Sequence, residues 1–250
     1  MIKRYLSSLA LALGLAAVVA PAFAEEGESL PSAGTNVADQ ASLQRGAKLF
    51  FNYCVGCHSL KYVRYSRMAS DLGLSEEEVM TNLNFTGAKF GEPVISHMPE
   101  ASAKAWFGKA PPDLSLEARA KGVDFIFNYL NAFYLDPTRP VGWNNTVFPN
   151  ASMPNPLWEL QGLQVAVYGA AKPGEEAAVE KLTIAQPGRM TPEQFRGATR
   201  DLTAFLEYAA EPAALERRSV GIWVILFLAG LTFLLYLLKH EYWKDVHDSH

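Results

Sequence analysis

The stretch NYCVGCHSL, Asn52–Leu60, holds the only two cysteines of this 250-residue sequence. Cys54 and Cys57 are three positions apart, and His58 follows the second cysteine directly. Two thiols and an imidazole at such spacings occur in zinc corners, in redox-active dithiols and at the attachment points of covalent haem. The rest of the sequence decides which of the three applies, and the fold follows from that decision.

The zinc and dithiol interpretations lack the residues that they require. A zinc site needs four ligands, and outside the motif the histidines are His97 and three that follow an apolar segment near the C-terminus. A thioredoxin-like dithiol opens a helix in a βαβ unit, whereas this motif follows a helical pattern. A disulfide across so short a loop would stabilise little. Covalent haem attachment remains, because Cys-x-x-Cys-His lets two thiols reach one porphyrin edge while the adjacent imidazole ligates the iron.

With His58 as one axial ligand, the second must come from elsewhere in the chain. A histidine would give bis-histidine iron, and a methionine would raise the potential. The candidates are His97, Met68, Met80, Met98, Met153 and Met190. Met153 is favoured because it lies in the proline-rich stretch FPNASMPNPLW, where core filling is least needed. Met98, in SHMPE, is its rival, and these residues alone leave the choice open.

Both ends of the chain carry targeting or membrane signals. Lys3 and Arg4 precede an apolar run, Leu9–Ala20, and small residues follow it, which predicts a cleaved signal peptide over residues 1–24. Ser219–Leu238 contains no charged residue, and a helix of that length spans roughly 30 Å, the thickness of a bilayer core. We therefore expect an exported domain over residues 25–216, a transmembrane anchor over 217–238 and a cytoplasmic tail over 239–250.

The exported part is expected to be mostly α-helical with long loops. Helix signals begin at Asp39, at Ser75 with Glu78, at Asp124 and at Thr191 with Pro192 and Gln194. Residues 25–37 suggest a loose arm, residues 124–134 one helix, and residues 136–156 a proline-rich loop. No convincing alternating strand pattern is present. A net charge of −4 argues against a nucleic-acid partner.

Four segments together resemble the cytochrome c1 family: CVGCHSLKYVRY, APPDLSLEARA at 110–120, SMPNPLW, and LTAFLEYAAEP followed by one membrane helix. The resemblance implies a cytochrome c-like helical haem domain with one covalently attached haem c and Met153 as the sixth iron ligand. It further implies that Arg119 lies near a haem propionate and that Pro111 and Pro112 line the pocket. Trp106 and Phe107 replace asparagines of mitochondrial relatives.

The function that the resemblance implies is single-electron transfer on the periplasmic side of the inner membrane. The chain would take electrons from the Rieske iron–sulfur protein and pass them to a soluble cytochrome c. It would do so as a subunit of a dimeric ubiquinol:cytochrome c oxidoreductase (bc1) complex that also contains cytochrome b. Alone it would turn over no substrate. The alternatives are an independent anchored cytochrome that serves a terminal oxidase, and a haem sensor or peroxidase with an open sixth position.

Overall fold

The computed structural model describes residues 30–170 and 177–247, so the predicted signal peptide lies outside the described residues. The described part is mostly helical, as expected, with three small antiparallel sheets of two strands each. The elements in chain order are α1 (Gln40–Tyr53), β1 (Leu60–Arg64), α2 (Tyr65–Leu72), α3 (Glu76–Asn82), β2 (Pro93–Val94), α4 (Glu100–Phe107), α5 (Glu117–Lys121), α6 (Val123–Asn131), β3 (Phe133–Leu135), β4 (Trp143–Asn145), α7 (Trp158–Gln161), β5 (Gly162–Tyr168), β6 (Val179–Pro187), α8 (Pro192–Ala210) and α9 (Ala214–His247).

Helices α1 and α8 form the centre of the haem domain. The predicted caps are present: the Asp39 carboxylate accepts the Ser42 N–H at 3.1 Å, and Thr191 and Gln194 form a capping box. The two helices cross at Gly46, where a β-carbon would meet the carbonyl oxygen of Asp201 and lie 2.7 Å from the Phe205 β-carbon. A residue without a side chain therefore permits this close crossing.

Aromatic side chains fill the core where these helices meet. Phe50, on α1, packs against Phe205, on α8, with ring centroids 5.7 Å apart, and both are fully buried. Tyr208 is also fully buried and donates its hydroxyl hydrogen to Asp71 at 2.8 Å, which ties α8 to α2. Burial of this apolar surface is the main stabilising contribution, and it fixes the end of α1, where Cys54 follows.

The helix predicted over residues 124–134 is shorter than expected. It ends at Asn131, and Phe133–Leu135 pairs instead with Trp143–Asn145 in an antiparallel ribbon. The Asn131 side-chain amide donates to the Phe127 carbonyl at 2.7 Å and to the Thr199 hydroxyl at 2.9 Å. These two hydrogen bonds hold Asn131 as the last residue of the helix. The second strand of this ribbon therefore lies within the stretch predicted as a proline-rich loop, residues 136–156.

Another ribbon lies where no strand pattern was recognised in the sequence. Gly162–Tyr168 and Val179–Pro187 form an antiparallel ribbon with irregular register. Gly162, with a φ of 93°, and Gly188 pass so closely that a β-carbon on either would meet backbone atoms of the other strand. Most residues of Gly162–Tyr168 are half-buried, so this strand lacks the alternation of buried apolar and exposed polar residues by which a sequence indicates a strand.

Residues 30–37, the described part of the segment expected to be a loose arm, are anchored near Ala33. Ala33 is fully buried; its N–H donates to Asp124 at 2.6 Å, and its carbonyl accepts from Arg200 at 2.9 Å. At the other end α9 continues to His247, beyond the predicted boundary at 238. Within the described residues, Ser219–Lys244 is the one helix long and apolar enough to cross a membrane. Residues 239–247 contain neither glycine nor proline, so nothing ends the helix at 238.

Candidate haem site

The two cysteines lie in a tight turn at the end of α1. The N–H groups of Cys57 and His58 both donate to the Cys54 carbonyl, at 3.0 and 2.9 Å. Cys54 is buried and Cys57 half-buried, and both are free thiols. Burial raises the pKa of Cys54 to about 12 and also raises that of Cys57, so both sulfurs stay protonated at neutral pH. The loop thus presents two neutral thiols and one imidazole together.

The imidazole of His58 is held by the backbone of the Pro-Pro-Asp segment. Its Nδ1 lies 2.8 Å from the Pro112 carbonyl oxygen. Since a carbonyl can only accept, Nδ1 carries the proton and Nε2 is left with a free lone pair, as a metal ligand requires. Burial lowers the pKa of His58, against a smaller raising effect of this hydrogen bond, and so favours the neutral ring.

The same segment is fastened to the motif at two further points. The Leu114 N–H donates to the Ser59 carbonyl at 2.9 Å, and the Asp113 carboxylate accepts the Lys61 N–H at 2.9 Å. Asp113 also accepts the Ser115 N–H at 3.0 Å, which stiffens the turn. Residues 112–115 therefore form a rigid support beside the imidazole.

A cavity of about 320 Å³ lies against these groups, within the range of ligand sites. It is lined by Cys54, Cys57, His58 and Met153, together with Pro111 and Pro112. The structure thus brings all of these predicted site residues to one cavity, although Met153 lies far from the motif in sequence. Of the candidate methionines, all of which fall in the described part, Met153 alone lines it, and neither His97 nor Met98 does.

The structure places Arg119, the propionate candidate, outside the lining of the cavity. It is exposed on α5. Two lysines occupy the rim instead: the Nζ of Lys109 and that of Lys121 lie 5.9 and 5.8 Å from the ring centroid of Phe148. Neither ammonium makes an ion pair with any described residue.

Sequence reasoning also missed an aromatic wall of the cavity. Tyr129 stacks on Phe125 with centroids 6.0 Å apart and meets Phe148 edge-on at 6.5 Å, and all three line the cavity. Burial raises the pKa of Tyr129 to about 12. Phe125 and Tyr129 are four positions apart on α6, so the helical period was the signal that could have placed them on one face.

These residues fit a covalent c-type haem. The cavity supplies two thiols for thioether bonds, an imidazole with an unprotonated nitrogen and a thioether sulfur for the iron, and aromatic walls for the ring. The two lysines at its rim match the two carboxylates of such a ring.

Comparison with known proteins agrees with this geometry. Cytochrome c1 of Allochromatium vinosum is 49% identical over 222 residues, which cover 88% of this chain and 91% of that protein. The ammonia monooxygenase gamma subunit of Nitrosomonas europaea is 42% identical over 98% of this chain and 100% of its own length. Cytochrome c1 of Rhodospirillum rubrum is 33% identical, with 83% of each chain covered. The sequence model of the Cytochrome C1 family matches residues 33–246, and the chain therefore belongs to the cytochrome c1 family.

Proposed function

We propose that this chain receives single electrons from a Rieske iron–sulfur protein and passes them to a soluble cytochrome c. Cytochrome c1 proteins carry a covalently bound c-type haem and serve electron transfer as subunits of the bc1 oxidoreductase. The two named redox partners and the dimeric state of the complex are our proposal for this chain. The subunit belongs to an enzyme, although alone it would convert no substrate.

The observation that carries the proposal is the meeting of Cys54, Cys57, His58 and Met153 at one cavity. The haem, when bound, supplies a one-electron iron couple. In our proposal Cys54 and Cys57 form the thioether bonds, while His58 and Met153 occupy both axial positions. Two protein ligands leave no position open for a substrate, which favours an electron relay over the sensor or peroxidase alternative.

Other residues are assigned supporting roles in the same proposal. Pro112 fixes the His58 ring through its carbonyl, and Pro111 contributes apolar wall. Lys109 and Lys121 hold the haem carboxylates at the rim, in place of Arg119, which does not line the cavity.

The chain is anchored in the membrane by its C-terminal helix, as the apolar stretch of α9 indicates. We propose that residues 1–24 are removed, that residues 25–216 work in the periplasm, and that the span over 217–238 leaves the C-terminus, residues 239–250, in the cytoplasm. A stop-transfer span after an exported N-terminus produces this orientation.

Purification of the tagged chain from native membranes in a mild detergent tests the proposal. The expected result is co-purification of a b-type cytochrome and a Rieske iron–sulfur protein, with reduction of the attached haem by added quinol. Recovery of the chain with neither protein would favour the independent anchored cytochrome. Recovery with an ammonia monooxygenase would favour the role that the name of the Nitrosomonas relative suggests for that protein.

A further inference from the structure

The loop that presents Met153 is held by side-chain amides at its base. Asn145, at the end of β4, is only 1% exposed. Its Oδ1 accepts the N–H groups of Val147 and Phe148, at 2.9 and 3.1 Å, and its Nδ2 donates to the Tyr129 carbonyl at 2.8 Å. One side chain therefore satisfies three backbone groups and fastens the start of the loop to α6.

The neighbouring Asn144, 9% exposed, closes the loop on itself. Its Oδ1 accepts the Asn150 N–H at 2.8 Å, and its Nδ2 donates to the Asp136 carboxylate at 2.9 Å. Asn150 has a φ of 64°, which places it in the left-handed region that asparagine tolerates better than most residues. The chain is thereby turned sharply three residues before Met153.

A second anchor follows Met153. Asn155, 3% exposed, accepts the Leu157 N–H at 2.9 Å and donates to the Gln161 side chain at 2.6 Å. Met153 thus lies in a short span between two fixed points, at 150 and 155. Such a span has few backbone conformations available to it.

We propose that Asn144 and Asn145 are positioning residues that hold Met153 at the cavity that Cys54, Cys57 and His58 also line. The inference rests on the proposed function, in which Met153 is the sixth ligand. The loop contains no helix, and side-chain amides bind its backbone N–H groups directly. Without them the loop gains conformational freedom, its partly buried N–H groups lose their partners, and the state with the methionine away from the iron becomes more populated.

Imidazole is a suitable probe of that state, because it ligates haem iron only when the methionine has left. Its apparent affinity scales with the fraction of molecules in which the sixth position is free. The oxidised, detergent-solubilised holoprotein is titrated with imidazole, and loss of the far-red methionine-to-iron absorption band is followed. Thermal unfolding of each variant is recorded by circular dichroism.

Asn145→Leu should bind imidazole about tenfold more tightly than wild type, because three partly buried hydrogen bonds are lost. Asn144→Ala, a milder change, should tighten binding by about threefold to tenfold. Two variants should stay near wild type. Asn150→Gly keeps both the N–H donor and the left-handed backbone, and Asn82→Ala removes one comparable amide bond, to the Glu78 carbonyl, on α3.

Imidazole affinities of Asn145→Leu and Asn144→Ala equal to that of Asn82→Ala would overturn the inference, even if their unfolding temperatures fall. Met153→Leu is measured alongside. A far-red band that survives Met153→Leu would refute the proposed ligand itself. A band that Met153→Leu abolishes, with unchanged affinities in the asparagine variants, would refute only the positioning role.

Discussion

Gly46→Ala tests whether the crossing of α1 and α8 requires a residue without a side chain. The new β-carbon would overlap the Asp201 carbonyl oxygen and lie 2.7 Å from the Phe205 β-carbon, against 3.4 Å or more in ordinary contact. The helices would have to separate by more than about 0.7 Å, because the Asp201 carbonyl oxygen lies closer still, and this obstacle is backbone rather than a flexible side chain. Overpacking of this kind lowers the free energy of unfolding by about 1–3 kcal/mol. The higher helix propensity of alanine over glycine raises it by about 1 kcal/mol.

Because the obstacle is backbone, we expect a cost at the upper end of that range. The net loss is then about 2 kcal/mol, which corresponds to a fall in Tm of roughly 4–8 °C for a chain of this size. Gly197→Ala on α8 is the matched control, because its β-carbon meets nothing within 4 Å. It should raise Tm by about 2–4 °C. Thermal unfolding followed by circular dichroism measures both. A Gly46→Ala protein as stable as wild type would refute the close crossing.

Three further outcomes follow from the site. Lys121→Gln should lower the reduction potential of the bound haem, because a cation at the rim of the haem cavity would favour the reduced form, whereas Arg119→Gln should change it less. Equal shifts in a redox titration would contradict the assignment. The Asp136 carboxylate, bound by Thr138 and Asn144, has a pKa below its usual value. Its stabilising effect is present above pH ~4 and lost as pH falls through the lowered pKa, so Asp136→Asn should destabilise the protein at pH ~7 and make little difference in strong acid. Denaturant unfolding at both pH values measures this. An equal loss of stability at neutral and acid pH would count against the role of the Asp136 carboxylate. Cys57→Ala should still attach haem through Cys54 alone, with a red-shifted α-band in the reduced spectrum; an unshifted band would show that Cys57 makes no thioether.

Local signals predicted the local structure well. The caps at Asp39, Ser75 and Thr191 fixed three helix starts, because each depends on residues within one turn. The early end of α6 depends on contacts with Thr199 and with residues 143–145 that are distant in sequence. No local pattern carries that information.

The cavity residues also divide into those that a local pattern predicts and those that depend on tertiary packing. The motif identified Cys54, Cys57 and His58 because the chemistry of attachment sets their spacing. Arg119 and Lys121 are two positions apart on a helix, so they point in nearly opposite directions, and the sequence alone gave no means of choosing the one that faces the cavity. Only the packing of α5 decides it, and the structure places Lys121 at the rim.

The central claim is that His58 and Met153 are the two axial ligands of one haem. The most direct test is the absorption spectrum of the oxidised protein in two variants, Met153→Leu and Met98→Leu. We predict that the far-red methionine-to-iron band disappears in Met153→Leu and persists in Met98→Leu. A band that persists in Met153→Leu, or disappears in Met98→Leu, would contradict the account.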